Sequence, residues 1–184
     1  MKILDIGCGK NKYVPKSEDD EVIGIDIVKL PSVDIVHNLE KFPWSIKSNE
    51  FDLIICTHIL EHLGDIIKVM EELWRVSKPE AIIKIVVPYH SSVGANTDPT
   101  HKINFAYRSF YYFCKEEYDF DFYVKDKFKL IKNKLIFHRT LKIFEGFFNR
   151  FPFFYERFFR YILPVEELHT ELKKETGTLN NSKR

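Results

Sequence analysis

The sequence predicts an α/β protein built on a doubly wound, mostly parallel sheet of seven strands. Continuously apolar strand segments are interleaved with helical spacing, as in parallel sheets that are buried on both faces. Two of the earliest strand segments also carry an aspartate at the carboxyl end, Asp5 and Asp26, 21 positions apart. Paired acids at such positions are typical of a nucleoside-binding crevice in a doubly wound sheet.

Length and composition indicate one domain. With 184 residues and 45% apolar side chains, the chain is expected to form a single domain over residues 1–175. Within it, segments 89–125 and 141–163 are predicted to be insertions that cover the site. The polar tail, residues 176–184, is predicted to be disordered.

Charge and cysteine content set the expected surroundings of the protein. A net charge of +1 gives no reason to expect nucleic acid as a partner. The three cysteines form no metal-binding spacing, and the start of the sequence has no signal peptide, so a cytoplasmic location is expected. The sequence contains no run of about 18 apolar residues, so no membrane span is predicted.

The glycine bend after the first strand has the chemistry of a ligand cradle. Gly7 and Gly9 permit positive φ and carry no Cβ, so the backbone can approach a ligand closely. Asp26 can accept hydrogen bonds from both ribose hydroxyls, and Asp5 favours a cationic ammonium over a pyrophosphate. Lys12 occupies the third glycine position of a dinucleotide fingerprint, so the phosphate-cradling form is broken.

The remaining elements follow from hydrophobic patterns and breakers. The crossover Lys10–Glu21 contains Pro15 and no apolar stripe, so it is predicted as a loop or one helical turn. A helix is predicted over Gly64–Val76, and a loop over Tyr89–Thr100. The further strands are predicted at Val22–Ile25, Val33–Val36, Phe51–Cys56, Ala81–Val87, Phe128–Phe137 and Val165–Lys174.

Three of these stretches resemble one family. Asp5, Gly7 and Gly9 resemble motif I of the class I S-adenosylmethionine-dependent methyltransferases, with Asn11 in place of its final glycine. The F-D-x-I-x-x-x-H-x-L-E-H pattern over 51–62 and the stretch 98–113 are similar to the small "type 11" subset. The resemblance implies a last strand that inserts antiparallel beside the sixth. It also implies S-adenosylmethionine as cofactor and direct displacement of its methyl group.

The resemblance assigns residues to the cofactor. Those implied to bind it are Asp5, Gly7, Cys8, Gly9, Asp26, Ile27, Asn38, Leu39, Thr57 and His58. Asn38 would meet the adenine, although an ordinary Asn-containing turn is the alternative interpretation.

Four histidines fall in segments predicted at the ligand edge: His58, His62, His90 and His101. His58 and His101 are candidates for a general base or for orienting a nucleophile. The substrate-facing candidates are His62, Tyr89, His90 and Asp98. No metal is predicted, because Glu61 and His62 with a distant histidine lack the fixed spacing of zinc motifs.

An aromatic-rich segment, residues 144–162, holds ten aromatic side chains in nineteen residues, and Pro152 divides it into two predicted short helices. Three interpretations stay open. The segment packs into the core with a homodimer contact, forms a lid over the cofactor, or contacts a membrane surface peripherally.

The predicted activity is methyl transfer to a small or lipid-like acceptor. Two other classes remain open at this stage. One is an NAD-type oxidoreductase, which the broken glycine pattern disfavours. The other is a non-catalytic nucleoside-binding or scaffold protein, suggested by the short first crossover and by the lack of helices before the first strand.

Overall fold

A computed structural model of the chain describes residues 1–115 and 124–175. The predicted tail 176–184 and part of the cover segment 89–125 lie outside these residues. The strands are β1 (Lys2–Ile6), β2 (Glu21–Asp26), β3 (Ile35–Val36), β4 (Phe51–Thr57), β5 (Ser77–Pro88), β6 (Phe128–Phe137) and β7 (Val165–Lys174). The α-helices are α1 (Ile66–Val76), α2 (Val93–Thr97), α3 (Glu145–Arg150) and α4 (Pro152–Phe158). Short 3₁₀ helices span Leu60–His62, Ser109–Phe113 and Arg139–Phe144.

The sheet has the order β3-β2-β1-β4-β5-β7-β6. Strands β1 to β5 are mutually parallel, and β7 runs antiparallel between β5 and β6. This order confirms the predicted doubly wound sheet with an antiparallel last strand. Because the chain leaves β1 toward β3 and then returns to β4 on the other side, the switch point lies at the carboxyl ends of β1 and β4.

Helix α1 shows why the hydrophobic pattern predicted its position. Val69, Met70, Leu73 and Val76 are buried at helical spacing and join the main core cluster of the sheet. The Asp65 side chain accepts a hydrogen bond from the Lys68 N–H at 3.1 Å and caps the first turn. The helix therefore begins two residues later than the predicted Gly64.

The structure differs from the predicted elements in two places, at the start of β5 and in the loop that follows it. Strand β5 starts at Ser77, four residues before the predicted start, because its pairing with β4 shifts register between Phe51 and Leu53. That irregularity accommodates Pro79 and the positive φ of Glu80. The predicted loop after β5 contains α2, since the Ser92 hydroxyl accepts from the Ala95 N–H at 3.0 Å. The first crossover has no helix, as predicted, and β3 is only two residues long.

The aromatic-rich segment forms α3 and α4, separated at Pro152 as predicted. Phe148 and Tyr155 are buried, as the core-packing interpretation of this segment predicts for these two side chains. Most of the other rings are exposed to solvent: Phe144, Phe147, Phe151, Phe153, Phe154, Phe158 and Tyr161. Among the described residues, no helix has both the length and the apolar character needed to cross a bilayer.

Lys174 joins the end of β7 to the start of β5. Its buried ammonium donates to the Asn49 side-chain oxygen and to the carbonyls of Trp74 and Ser77, each at 2.8 Å. These bonds satisfy two carbonyls next to the α1–β5 junction, where regular pairing is interrupted.

We expect Lys174→Met to lower the free energy of unfolding by about 1–3 kcal/mol, because the buried Ser77 carbonyl and two partly buried acceptors lose their donor. Lys173→Met is the matched control, since the adjacent Lys173 forms only a partly exposed ion pair with Glu80 and should change stability by less than about 0.5 kcal/mol. Urea denaturation of both variants measures the difference. Equal losses in the two would contradict a special role for Lys174.

Candidate functional site

The bend after β1 is fixed by backbone bonds to β2. Gly7 and Cys8 both donate their N–H groups to the Ile25 carbonyl, at 2.8 and 3.3 Å. Gly7 has φ +68° and Gly9 has φ +50°, a conformation that side chains other than glycine adopt only with strain. The sequence prediction of a tight glycine turn at this position is therefore correct.

The two glycines have different roles. A Cβ on Gly7 would lie 2.6 Å from the Ile59 side chain, so Gly7 makes room for a residue of the chain itself. A Cβ on Gly9 would meet no atom within 4 Å. Gly9 therefore presents the open part of the bend.

Asp5 braces the turn rather than facing a ligand. Its carboxylate is buried and accepts the Tyr13 N–H at 2.7 Å, which holds the first crossover against β1. Burial raises the pKa of this carboxyl, opposed by the Tyr13 hydrogen bond. Asp5 lines neither of the two cavities described below, so the structure does not support the predicted contact with a cationic ligand group.

Asp26 lies at the carboxyl end of β2 and faces a cavity. Its Oδ2 accepts from the Gly9 N–H and its Oδ1 from the Val28 N–H, both at 3.0 Å. An ionised carboxylate offers about four acceptor positions, so Asp26 keeps capacity for two more donors. The backbone bonds fix its orientation toward the cavity.

This nucleoside cavity has a volume of about 170 Å³. Five of the ten predicted cofactor residues line it: Gly7, Asp26, Ile27, Asn38 and Leu39. Ile59, Leu63, Glu40 and His62 complete the wall. The Asn38 side chain accepts the Glu40 N–H at 2.9 Å, so the Asn-containing turn is present and Asn38 also lines the cavity. Of its two carboxylates, Glu40 is paired with Lys102 at 2.9 Å. Asp26 among mostly apolar walls fits the ribose and base of a nucleoside.

Cys8 and Thr57 do not line this cavity, and their cofactor role stays a prediction. The Cys8 sulfur is buried and turns toward the Ser32 carbonyl, at 3.9 Å, beside Gly24. Burial raises the pKa of this thiol to about 11. Thr57 is the exposed last residue of β4. Side-chain direction at a strand end, rather than position in the chain, separates these residues from Asp26.

A larger cavity of about 640 Å³ adjoins the nucleoside cavity at His62, which lines both. His58, Asp98 and His101 also line this acceptor cavity, as predicted for the ligand edge. Its far wall comes from the start of β7 and the residues before it, 164–167, and from His138, Thr140 and Leu141. None of residues 144–162 lines either cavity, so the lid interpretation of the aromatic segment is not supported.

His58 connects β4 to β7. Its Nε2 lies 3.0 Å from Glu167 Oε1, and its Nδ1 lies 3.4 Å from Glu61 Oε1. The Glu167 hydrogen bond, followed by Glu61, raises the pKa of His58 to about 9. Glu167 also bonds to His169 at 2.7 Å, and these two histidines hold its pKa at about 2. Both ring nitrogens of His58 are therefore engaged with carboxylates.

Tyr89 and His90 do not line the acceptor cavity, and their substrate-facing role stays a prediction. The Tyr89 ring is fully buried, and its hydroxyl donates to Glu156 at 2.9 Å. His90 packs between Tyr89 and Tyr161, and burial lowers its pKa. Contacts with the aromatic-rich segment turn both side chains away from the cavity.

Glu167 is a site residue that the sequence did not single out, and Glu61 was considered only within a metal motif that was not predicted. Glu61 is one residue before His62 in the 51–62 pattern, and its spacing of three from His58 was an available signal. Glu167 had no comparable signal, because its contact with His58 joins positions 109 residues apart.

Sequence comparisons identify the domain. A family model described as a methyltransferase domain matches residues 4–85. An uncharacterized protein of Methanocaldococcus jannaschii is 32% identical over 92 residues, which make up 46% of this chain and 40% of that protein. The match thus spans less than half the length of this curated relative.

Two solved structures have the same fold. A SAM dependent methyltransferase from Archaeoglobus fulgidus superposes with a TM-score of 0.67 at 19% identity, covering 94% of this chain and 86% of that one. The Burkholderia thailandensis 1,6-didemethyltoxoflavin-N1-methyltransferase, solved with S-adenosylhomocysteine bound, gives 0.57 at 10% identity, covering 95% and 71%. The family model thus identifies a methyltransferase domain over residues 4–85, and the two structures show that the chain has the fold of S-adenosylmethionine-dependent methyltransferases.

Proposed function

We propose that the chain transfers a methyl group from S-adenosylmethionine to a small or lipid-like acceptor. The strongest support is the meeting of the nucleoside and acceptor cavities at His62. A donor in the first cavity and an acceptor in the second would then meet at one wall. Holding two reactants in this way can lower a barrier by roughly 7–11 kcal/mol.

The residues of the nucleoside cavity have distinct tasks in this proposal. Asp26 accepts hydrogen bonds from the ribose hydroxyls, while Leu39, Ile59 and Leu63 enclose the base. The open bend at Gly9 accommodates the remainder of the cofactor. When bound, S-adenosylmethionine supplies a methyl group that its sulfonium has already activated for displacement.

The acceptor cavity supports a small-molecule substrate. Its volume of about 640 Å³ falls within the range of roughly 300–1,000 Å³ that ligand pockets occupy. Of the two predicted general bases, His101 is the better candidate, because both nitrogens of His58 face carboxylates. His101 Nδ1 lies 3.1 Å from the Ala95 carbonyl and donates to it, which leaves the Nε2 lone pair for a proton or a cation. The exposed rings of residues 144–162 suit the predicted peripheral membrane contact and hence a lipid-like acceptor.

Titration with cofactor products tests the proposal. We expect S-adenosylhomocysteine to raise the melting temperature by about 5 to 10 °C at one hundred times its dissociation constant, and NAD to have no effect. Stabilisation by NAD alone would support the dinucleotide alternative. Absence of binding to either at millimolar concentration would support a scaffold protein.

A further inference from the structure

Two adjacent residues, Glu61 and His62, and the distant His101 converge at the wall between the two cavities. One nitrogen of each of the His62 and His101 rings and one Glu61 carboxylate oxygen lie within 4.8 Å of one another. The stretch that contains His101 is held there because the Lys102 and Ile103 N–H groups both donate to the Glu61 carbonyl, at 2.7 and 3.2 Å. The convergence is therefore built into the backbone.

The buried Glu61 carboxylate has His58 as an ion-pair neighbour but forms no hydrogen bond with the described residues. The side chain is only 2% exposed, and neither oxygen accepts a hydrogen bond from the described residues. His58 Nδ1 approaches only Oε1, at the ion-pair distance of 3.4 Å. A buried carboxylate without hydrogen bonds costs stability, and a cation bound directly to its oxygens would offset that cost.

Hydrogen bonds around the two histidines prepare them as ligands. Thr100 donates its single hydroxyl proton to Asp98 at 2.7 Å, so its oxygen accepts from His62 Nδ1 at 2.9 Å. His101 Nδ1 donates to the Ala95 carbonyl. Both rings therefore carry the proton on Nδ1, and no described residue forms a hydrogen bond with either Nε2. Metal-binding histidines are oriented in the same way, by donation from the other ring nitrogen.

We propose that Glu61, His62 and His101 bind a divalent transition-metal cation of the zinc, cobalt or iron type. Two imidazoles and one carboxylate favour such ions over Mg²⁺, which prefers oxygen ligands. Around a tetrahedral ion the ligand atoms are roughly 3.3 Å apart, so small side-chain rotations suffice to close the site. In this proposal the Nε2 lone pair of His101 binds the metal ion and no longer accepts a proton from the substrate.

The position of the site indicates the class of acceptor. All three residues line the acceptor cavity, so coordination positions that the protein leaves open are accessible from it. An acceptor hydroxyl or carboxylate oxygen is the ligand that such an ion would orient beside the donor cavity. This role in substrate choice rests on the proposed methyl transfer, whereas metal binding itself does not.

Co²⁺ titration of the metal-free full chain, without affinity-tag histidines, tests the site by visible ligand-field absorption. We expect saturable binding of one ion per chain, displaced by Zn²⁺ but not by Mg²⁺. Glu61→Gln and His101→Ala should each weaken binding at least tenfold. Thr100→Val, which touches no ligand atom of the ion, should weaken it by about tenfold by freeing the His62 ring. His138→Gln, in the same cavity but outside the cluster, should leave the affinity unchanged.

The proposal is overturned if the folded protein shows no saturable Co²⁺ signal, if Mg²⁺ displaces the ion equally well, or if Glu61→Gln and Thr100→Val bind as the parent does. Circular dichroism verifies that each variant is folded, and Thr100→Val serves as the test if Glu61→Gln is not. A parallel S-adenosylhomocysteine titration separates the two proposals. Binding of Co²⁺ without S-adenosylhomocysteine rejects only the methyl transfer, and the converse rejects only the metal site.

Discussion

Replacement of Asp26 by alanine is expected to weaken S-adenosylhomocysteine binding by about a hundredfold. Hydrogen bonds to a charged acceptor contribute about 1.5–3 kcal/mol each, and the carboxylate has capacity for two ribose hydroxyls. A loss near 3 kcal/mol corresponds to roughly two orders of magnitude in the dissociation constant. The variant also removes the acceptor of the Gly9 and Val28 N–H groups, which loosens the bend that lines the site.

Isothermal titration calorimetry of three variants distinguishes these contributions. Asp26→Asn keeps one oxygen acceptor, so we expect a loss of about tenfold. Asp19→Ala, at an exposed acid in the first crossover, should leave the affinity unchanged. Parent-like affinity in a folded Asp26→Ala protein would show that the ribose is bound elsewhere.

Replacement of Gly7 by alanine is expected to lower the free energy of unfolding by about 2–5 kcal/mol. The new Cβ would lie 2.6 to 2.9 Å from three atoms of Ile59, which requires the 3₁₀ turn after β4 to shift. The positive φ at this position adds about 1–2 kcal/mol of backbone strain.

Alanine variants of two other glycines distinguish the steric clash with Ile59 from the backbone strain of a positive φ. Gly9→Ala has positive φ but open space, so it should lose only about 1–2 kcal/mol. Gly146→Ala, in α3 with nothing nearby, should be neutral or stabilising by up to about 1 kcal/mol. Denaturant unfolding without ligand measures all three. A loss in Gly7→Ala no greater than in Gly9→Ala would rule out the steric contribution of Ile59.

Two kinds of hydrophobic pattern made the sheet predictable. Burial on both faces leaves β4 almost continuously apolar, whereas β6 and β7 alternate in part between buried and more exposed positions. All three strands were located to within one residue. Strand boundaries were harder to predict where the pairing between strands is irregular. The early start of β5 depends on a register shift against β4, and no local pattern of Ser77 to Glu80 encodes that partner.

Site residues were predictable only where backbone position alone fixes the side chain. Asp26 faces its cavity because β2 ends there. Asp5, at the equivalent point of β1, is turned inward by the Tyr13 N–H, whose location depends on an irregular crossover. Tyr89 is likewise withdrawn by Glu156, 67 residues later. The spacing rules for zinc sites could not predict that Glu61 and His101 lie close together. Their proximity depends on long-range hydrogen bonds from the Lys102 and Ile103 N–H groups to the Glu61 carbonyl.

Because β7 is the last strand in the chain but lies between β5 and β6, the two cavities are completed at different stages of synthesis. The residues that line the donor cavity, positions 7 to 63, leave the ribosome first. The acceptor cavity waits for residues 164–167, and until β7 arrives β5 keeps an unpaired edge. The residues that line the smaller cavity are therefore all synthesised before the wall of the larger cavity is complete.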